Sequence, residues 1–272
     1  SMDIPEHVKG LLASLQSDSF GDHPLKLAAI THSEPNAGSD AANIKVTAEL
    51  SADGSHYTFN GTKAWCTAFR LADGLLVTAR TDPKSSGAKG VSLFWVPKES
   101  GAIEVRGEGK DGGTCTGKKE HLICYRGMGG TYEVSFQNFR LDAKWLIGRA
   151  GEGWAPMVQR GFASGRLQTA ARSVGLAQTA LELAAQYAAT REQFARTIDS
   201  FPEIQMKLVR MAARVQAARQ LTYLAAQGKL GDPDLAASTA KLVATLVAFE
   251  VANECVQIHG GKYHLKANGR TP

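Results

Sequence analysis

The stretch 56–67, HYTFNGTKAWCT, is rich in aromatic and β-branched residues, the composition of a pleated, half-buried strand. Asn60-Gly61 lies between its two halves, HYTFN and TKAWC. Both residues tolerate positive φ, so the pair is expected to close a tight hairpin. Similar short runs lie on either side: LAAIT (27–31), IKVTAEL (44–50), GLLVTAR (74–80), GVSLFWV (90–96) and YEVSF (132–136). Their regular spacing, between residues 27 and 141, predicts an antiparallel barrel or sandwich. RGEGKDGGTCTGKK (106–119) is expected to be a long, mobile glycine-rich loop.

The pattern changes outside this block. Residues 3–17 read as a short helix with Ile4, Val8, Leu11, Leu12 and Leu15 on one side, ended by SDSFGDHP. From about residue 153 the period is helical. A first helix over 154–189 carries the stripe Leu167, Ala171, Val174, Leu181 and Ala185. A second over 201–227 carries Ile204, Leu208, Met211, Val215, Ala218 and Ala225, with Ser200 and Glu203 spaced as a capping box. A third over 233–259 has Asp232 as N-cap and Pro233 as first residue. Its apolar residues, among them Leu235, Leu242, Leu246 and Phe249, cover nearly every side of the helix. Such a helix must be covered all round, so an oligomer or a further helix is expected.

Composition narrows the class. The 272 residues are 43% hydrophobic and 21% charged, as in ordinary globular proteins. No apolar run is expected to reach the ~20 residues that span a bilayer, and no signal-peptide pattern opens the chain. Ser1-Met2 resembles the remnant of a cleaved tag. The net charge is +5 but scattered; the densest pair, Lys118-Lys119, is followed by Glu120. Nothing matches a nucleic-acid motif. The four cysteines, Cys66, Cys115, Cys124 and Cys255, form no CxxC pair and no zinc spacing, so no metal site is expected. They are expected to act as small hydrophobes in a reducing compartment, taken as the cytoplasm.

Six motifs in one order give a sharper reading: AITHSEPNAGSD, YTFNGTKAWCT, GKKEHLICYRG, GEGW, YAATREQFARTI and QIHGG. In this order they resemble the acyl-CoA dehydrogenase family over residues 27–262. The resemblance implies an α+β fold: a middle β-barrel over 27–148 and a C-terminal helical bundle over 149–272, here incomplete. Residues 1–26 would be a short helical remnant and linker. It implies FAD between barrel and bundle, an acyl-CoA substrate, an electron-transfer flavoprotein as acceptor, a place in fatty acid metabolism, and a homo-oligomer, tetramer or dimer. The implied chemistry is α,β-dehydrogenation of the thioester.

The resemblance also assigns residues. Ser33, Gly38 and Ser39 belong to the turn that meets the flavin, with Ser39 also near the thioester. Trp65 and Thr67 lie beside the flavin ring, with a barrel core residue as the lesser alternative for Trp65. Arg191, Gln193, Phe194 and Ile198 belong to a motif that holds the cofactor. In it Arg191 suits a pyrophosphate, because its planar fork donates paired hydrogen bonds. Gln257, Gly260 and Gly261 would meet the FAD of a neighbouring subunit, and Arg166 the CoA. Ala68-Phe69 replace the family's Asn-Gly, Ala195 its glycine and Thr197 its proline. His259 reads as packed or at the surface. A catalytic glutamate is found at neither family position; Gly165 occupies one, and Glu254 reads as structural. The chain is therefore expected to be a piece of a dehydrogenase. The alternatives are a non-catalytic FAD-binding subunit of a heteromeric enzyme, or other flavin chemistry such as an oxidase or monooxygenase.

Overall fold

A computed structural model describes residues 27–121, 129–155, 157 and 161–264. The helix expected over 3–17 and Cys124 lie outside them. The chain divides into two compact units, Ser1–Met157 and Val158–Pro272.

The first unit is built on one nine-stranded sheet. Its strands are β1 (Ala28–Thr31), β2 (Thr47–Leu50), β3 (His56–Thr67), β4 (Gly74–Arg80), β5 (Val91–Pro97), β6 (Glu104–Arg106), β7 (Thr114–Glu120), β8 (Thr131–Asp142) and β9 (Leu146–Ile147). The order is β6-β7-β8-β3-β2-β4-β5-β9, with β1 joined to β4 in parallel. Every other strand pair is antiparallel apart from a single parallel bridge, Thr47 to Arg80. The sheet curls. Phe59 on β3 and Phe94 on β5 meet edge to face at 4.9 Å, although two strands lie between them. Strands ~4.8 Å apart would hold these two at ~14 Å in a flat sheet. Tyr57, Phe136 and Phe139 join the same aromatic core. The two ends of the path, β6 and β9, are not paired with each other, so the expected barrel is a half-barrel.

Two local expectations are corrected. Asn60-Gly61 is not a turn. β3 runs through it as one strand of 12 residues, and the register against β8 slips between Phe59 and Gly61. Gly61 has φ +124, and a Cβ there would lie 3.0 Å from Val46 Cγ2. The glycine therefore serves a bulge. Nor is 106–119 a loose loop. Its second half is β7, and Gly107 N donates to Gly113 O at 3.0 Å while Arg140 N donates to Gly112 O at 2.8 Å. A Cβ on Gly113 would sit 2.2 Å from the Asn138 carbonyl oxygen, so the glycines allow backbone to pack on backbone.

The second unit holds α1 (Phe162–Thr190), α2 (Pro202–Ala226) and α3 (Pro233–His259), with a small ribbon of β10 (Glu192–Gln193) and β11 (Arg196–Thr197) after α1. Asp232 caps α3 as expected, accepting from Leu235 N at 2.7 Å. Gly260, at φ 59, ends it by donating to Gln257 O and Val256 O. The capping box at Ser200 does not form. Pro202 takes the first helical position, Phe201 becomes the cap, and the Ser200 hydroxyl donates to Thr197 O at 2.6 Å instead.

Alanines line the helix contacts. Ala170, Ala177 and Ala184 of α1 and Ala237 and Ala244 of α3 are buried at seven-residue spacing, while the expected stripe residues Ala171 and Ala185 are exposed. Small side chains let the helices approach closely, but each buries less apolar area than a leucine. The large residues are left outside. Leu235, Leu242, Leu246 and Phe249 of α3 are 66, 57, 56 and 75% exposed. The segment Pro233–Lys262 is, by length and composition, long and apolar enough to cross a membrane. This amends the expectation that no such run exists, although a helix covered by protein partners passes the same test.

Candidate functional site

The polar turn after β1 is locked from beneath. Glu34 and Ala37 exchange two backbone hydrogen bonds, of 3.3 and 3.1 Å, around Pro35-Asn36. Glu34 is buried, and its carboxylate accepts from Lys45 N at 2.6 Å, Val46 N at 3.0 Å and the Lys63 ammonium at 2.8 Å. Lys63, on β3, is fully buried and also donates to His32 O at 3.0 Å and Thr78 Oγ1 at 3.4 Å. Burial lowers its pKa to about 8 even with Glu34 opposing the shift. His32 Nδ1 lies 2.8 Å from Thr78 Oγ1, and burial together with the Lys63 charge pushes the imidazole down to about 4. Sequence reasoning missed this network. A lysine inside a strand pattern reads as a surface charge, and only the bulges show that it points inward.

Above the network the polar side chains are unspent. Among the described residues, the hydroxyls of Ser33, Ser39 and Thr67 and the indole N–H of Trp65 have no hydrogen-bond partner. Ser33 and Trp65 are brought together because Ala64 N donates to Ser33 O at 2.8 Å. Trp65 is 62% exposed, so it is not a core residue. It sits in the second register slip of β3, between Lys63 and Cys66, with φ 62. Left-handed backbone is strained for a bulky side chain and clusters at functional sites. Ala68, in the altered loop, has φ 64 and donates to Gly130 O at 2.9 Å. Gly38 and Ser39 are exposed on the same turn, and the space a Cβ on Gly38 would enter is open.

The sulfurs stay out of this surface. Cys66, Cys115 and Cys255 are buried free thiols, the small hydrophobes expected of them. Burial raises Cys66 to about 11, and Cys115 further. Thr31 Oγ1 lies 3.5 Å from the Cys66 sulfur.

The bundle carries a second group. After α1, Arg191 turns extended, and the β10–β11 ribbon follows with Phe194 and Ala195 as its two turn residues, at φ 55 and 59. Two left-handed residues make the tight hairpin turn that normally recruits Asn or Gly. Phe194 is 90% exposed, and Arg191 and Gln193 are exposed beside it. Ile198 N donates to Arg191 O at 2.8 Å, and the Ile198 side chain packs on the bundle core. Gln257 and Gly261 are exposed at the end of α3. His259 is packed there, its ring stacked on Tyr187 at 4.4 Å. Arg166 faces Asp234 at 3.8 Å. Glu254 pairs with the Lys207 ammonium at 2.6 Å, in keeping with a structural role, and Gly165 offers no acid or base.

A curled sheet with this bulged turn, followed by a unit of three long helices, defines the class. Residues 29–139 match the family model of the acyl-CoA dehydrogenase middle domain, and residues 151–268 that of the acyl-CoA dehydrogenase C-terminal domain. The chain belongs to the acyl-CoA dehydrogenase family. It is 38% identical over 240 residues to (2S)-methylsuccinyl-CoA dehydrogenase of Cereibacter sphaeroides, covering 86% of this chain and 42% of that one. The solved butyryl-CoA dehydrogenase from Megasphaera elsdenii superposes with a TM-score of 0.77 at 35% identity, over 88% of this chain and 59% of the other. A chain from a structure described as the electron transferring flavoprotein of Acidaminococcus fermentans gives a TM-score of 0.77 and 35% identity, over 89% and 60%. The chain spans about half the length of the curated relatives it matches.

Proposed function

We propose that this chain binds FAD and serves the α,β-dehydrogenation of an acyl-CoA thioester. The observation that carries the reading is the turn-and-bulge surface: hydroxyls at Ser33, Ser39 and Thr67 that have no partner among the described residues, and a solvent-facing Trp65 in strained backbone. The groups fit a flavin. Hydroxyls can donate to its polar edge, an indole can pack on its apolar ring, and the open space at Gly38 lets a ligand approach the backbone. Arg191, with Gln193, Phe194 and Ile198, supplies a cationic fork of the kind that takes a pyrophosphate. Gln257 and Gly261 offer further polar contacts to the cofactor. The flavin, when bound, supplies the acceptor for the hydrogen removed from the β carbon.

Ser39 and Arg166 would orient the thioester and its CoA. Removal of the α proton needs a base within hydrogen-bond reach. Gly165 cannot be that base, and Glu254 is engaged by Lys207, so none is assigned. The exposed leucines of α3 and Phe249 favour a homo-oligomer, in which such a surface is covered. A place in fatty acid metabolism, an electron-transfer flavoprotein as acceptor and a reducing, cytoplasmic setting complete the reading. The buried free thiols support that setting.

Dye reduction with acyl-CoA thioesters of graded chain length tests the reaction. Turnover with any of them supports it. A flavin-loaded protein that no thioester reduces confines the chain to cofactor binding.

A further inference from the structure

The geometry points to Lys63 and Glu34 as a buried positioning pair that sets the shape of the flavin-facing surface while touching no ligand itself. The inference rests on the flavin reading above.

Parity along β3 carries the argument. In a regular strand, residues two apart share a face. Lys63 and Trp65 are two apart, yet Lys63 is fully buried and Trp65 is 62% exposed. The register slip between Lys63 and Cys66, with Trp65 at φ 62, breaks the parity. With the parity broken, Lys63 can anchor inward on the turn while Trp65, two residues on, faces outward over it.

The anchor is the turn itself. The Lys63 ammonium meets His32 O at 3.0 Å and Glu34 Oε1 at 2.8 Å, the residues on either side of Ser33. The next residue, Ala64, donates to Ser33 O at 2.8 Å. Three successive turn residues are thus gripped by two successive strand residues. Thr78 Oγ1 takes a third contact from Lys63 at 3.4 Å, and the Glu34 carboxylate ties the turn onward to Lys45 N and Val46 N.

Stability alone does not call for this arrangement. Buried ion pairs can often be replaced by apolar residues of similar volume without loss, whereas removing one partner is costly. The pair supplies geometry: Ser33, with its hydroxyl unspent, is held beside a tryptophan that would otherwise turn into the core.

The test uses the whole chain and FAD as the probe. Glu34→Gln, Lys63→Met and the double variant are compared with the parent for apoprotein Tm, FAD Kd by absorbance titration, and the band shape of the bound flavin. The double variant is expected to keep a Tm close to the parent, whereas each single variant is expected to lower it, because it leaves one buried partner unpaired. Each is expected to bind FAD about tenfold more weakly with an altered band, about 1.4 kcal/mol. A folded Glu34→Gln or double variant with parental Kd and band shape overturns the positioning role and leaves the flavin reading standing. A parent that binds no FAD overturns the flavin reading, and the inference falls with it.

Discussion

Gly61 and His32 mark the two ways in which single residues hold the sheet unit. Gly61 occupies backbone that other residues rarely adopt, at φ +124, and its missing Cβ leaves room for Val46. Gly61→Ala should destabilise the protein by about 2 kcal/mol, lowering Tm by roughly 4–8 °C. An unchanged Tm would mean that the bulge tolerates a side chain. His32 is held neutral by burial and by the Lys63 ammonium, its pKa lowered from 6.5 to about 4. Between those values the unfolded chain binds the proton and the folded chain does not. Its contribution to stability is therefore complete above pH 6.5 and is lost as pH falls toward 4. Between pH 6.5 and 5, before most carboxylates titrate, Tm should fall more steeply for the parent than for His32→Gln. Parallel slopes would place the imidazole outside this linkage.

At the scale of elements, the positive-φ signal in the sequence was real but ambiguous. Asn-Gly marks backbone that leaves the ordinary regions, and a hairpin turn and a bulge call for the same residues. The choice lay in β8, which pairs with β3 on both sides of Gly61. Strands β4 and β5, whose residues are nearly all buried, were legible throughout. The helices were legible in number and in the Asp232 cap of α3, but not in the cap of α2 or the facing of α1. Alanines occupy both its faces, so position 170 cannot be told from 171 by hydropathy. The turn at 32–40 was legible as a candidate site, whereas the Lys63–Glu34 pair beneath it has no local pattern. The β10–β11 ribbon bears on stability directly. Ala195 holds φ 59, a conformation that costs a Cβ-bearing residue roughly 1–2 kcal/mol. Ala195→Gly should leave stability unchanged or raise the urea midpoint slightly, because relief of strain outweighs the added freedom of the unfolded chain. A clear loss of stability would show that the ribbon is not strained at this position.

Over the whole molecule, the two units divide the work by composition. The sheet unit buries aromatic rings and spends its internal charges on one another, as at Lys63 and Glu34, or on backbone carbonyls, as at Arg80 and Lys98. The helical unit buries alanines and leaves leucines and Phe249 outside. The central claim is that the surface over Ser33, Gly38, Ser39, Trp65 and Thr67 takes a flavin. The most direct measurement is the visible absorption spectrum of the purified chain with its mass in solution, before and after FAD is added and the excess removed. The account predicts a retained flavin band, about one FAD per chain, on a species heavier than one chain. A protein that stays colourless after FAD is added, while remaining folded, would contradict it.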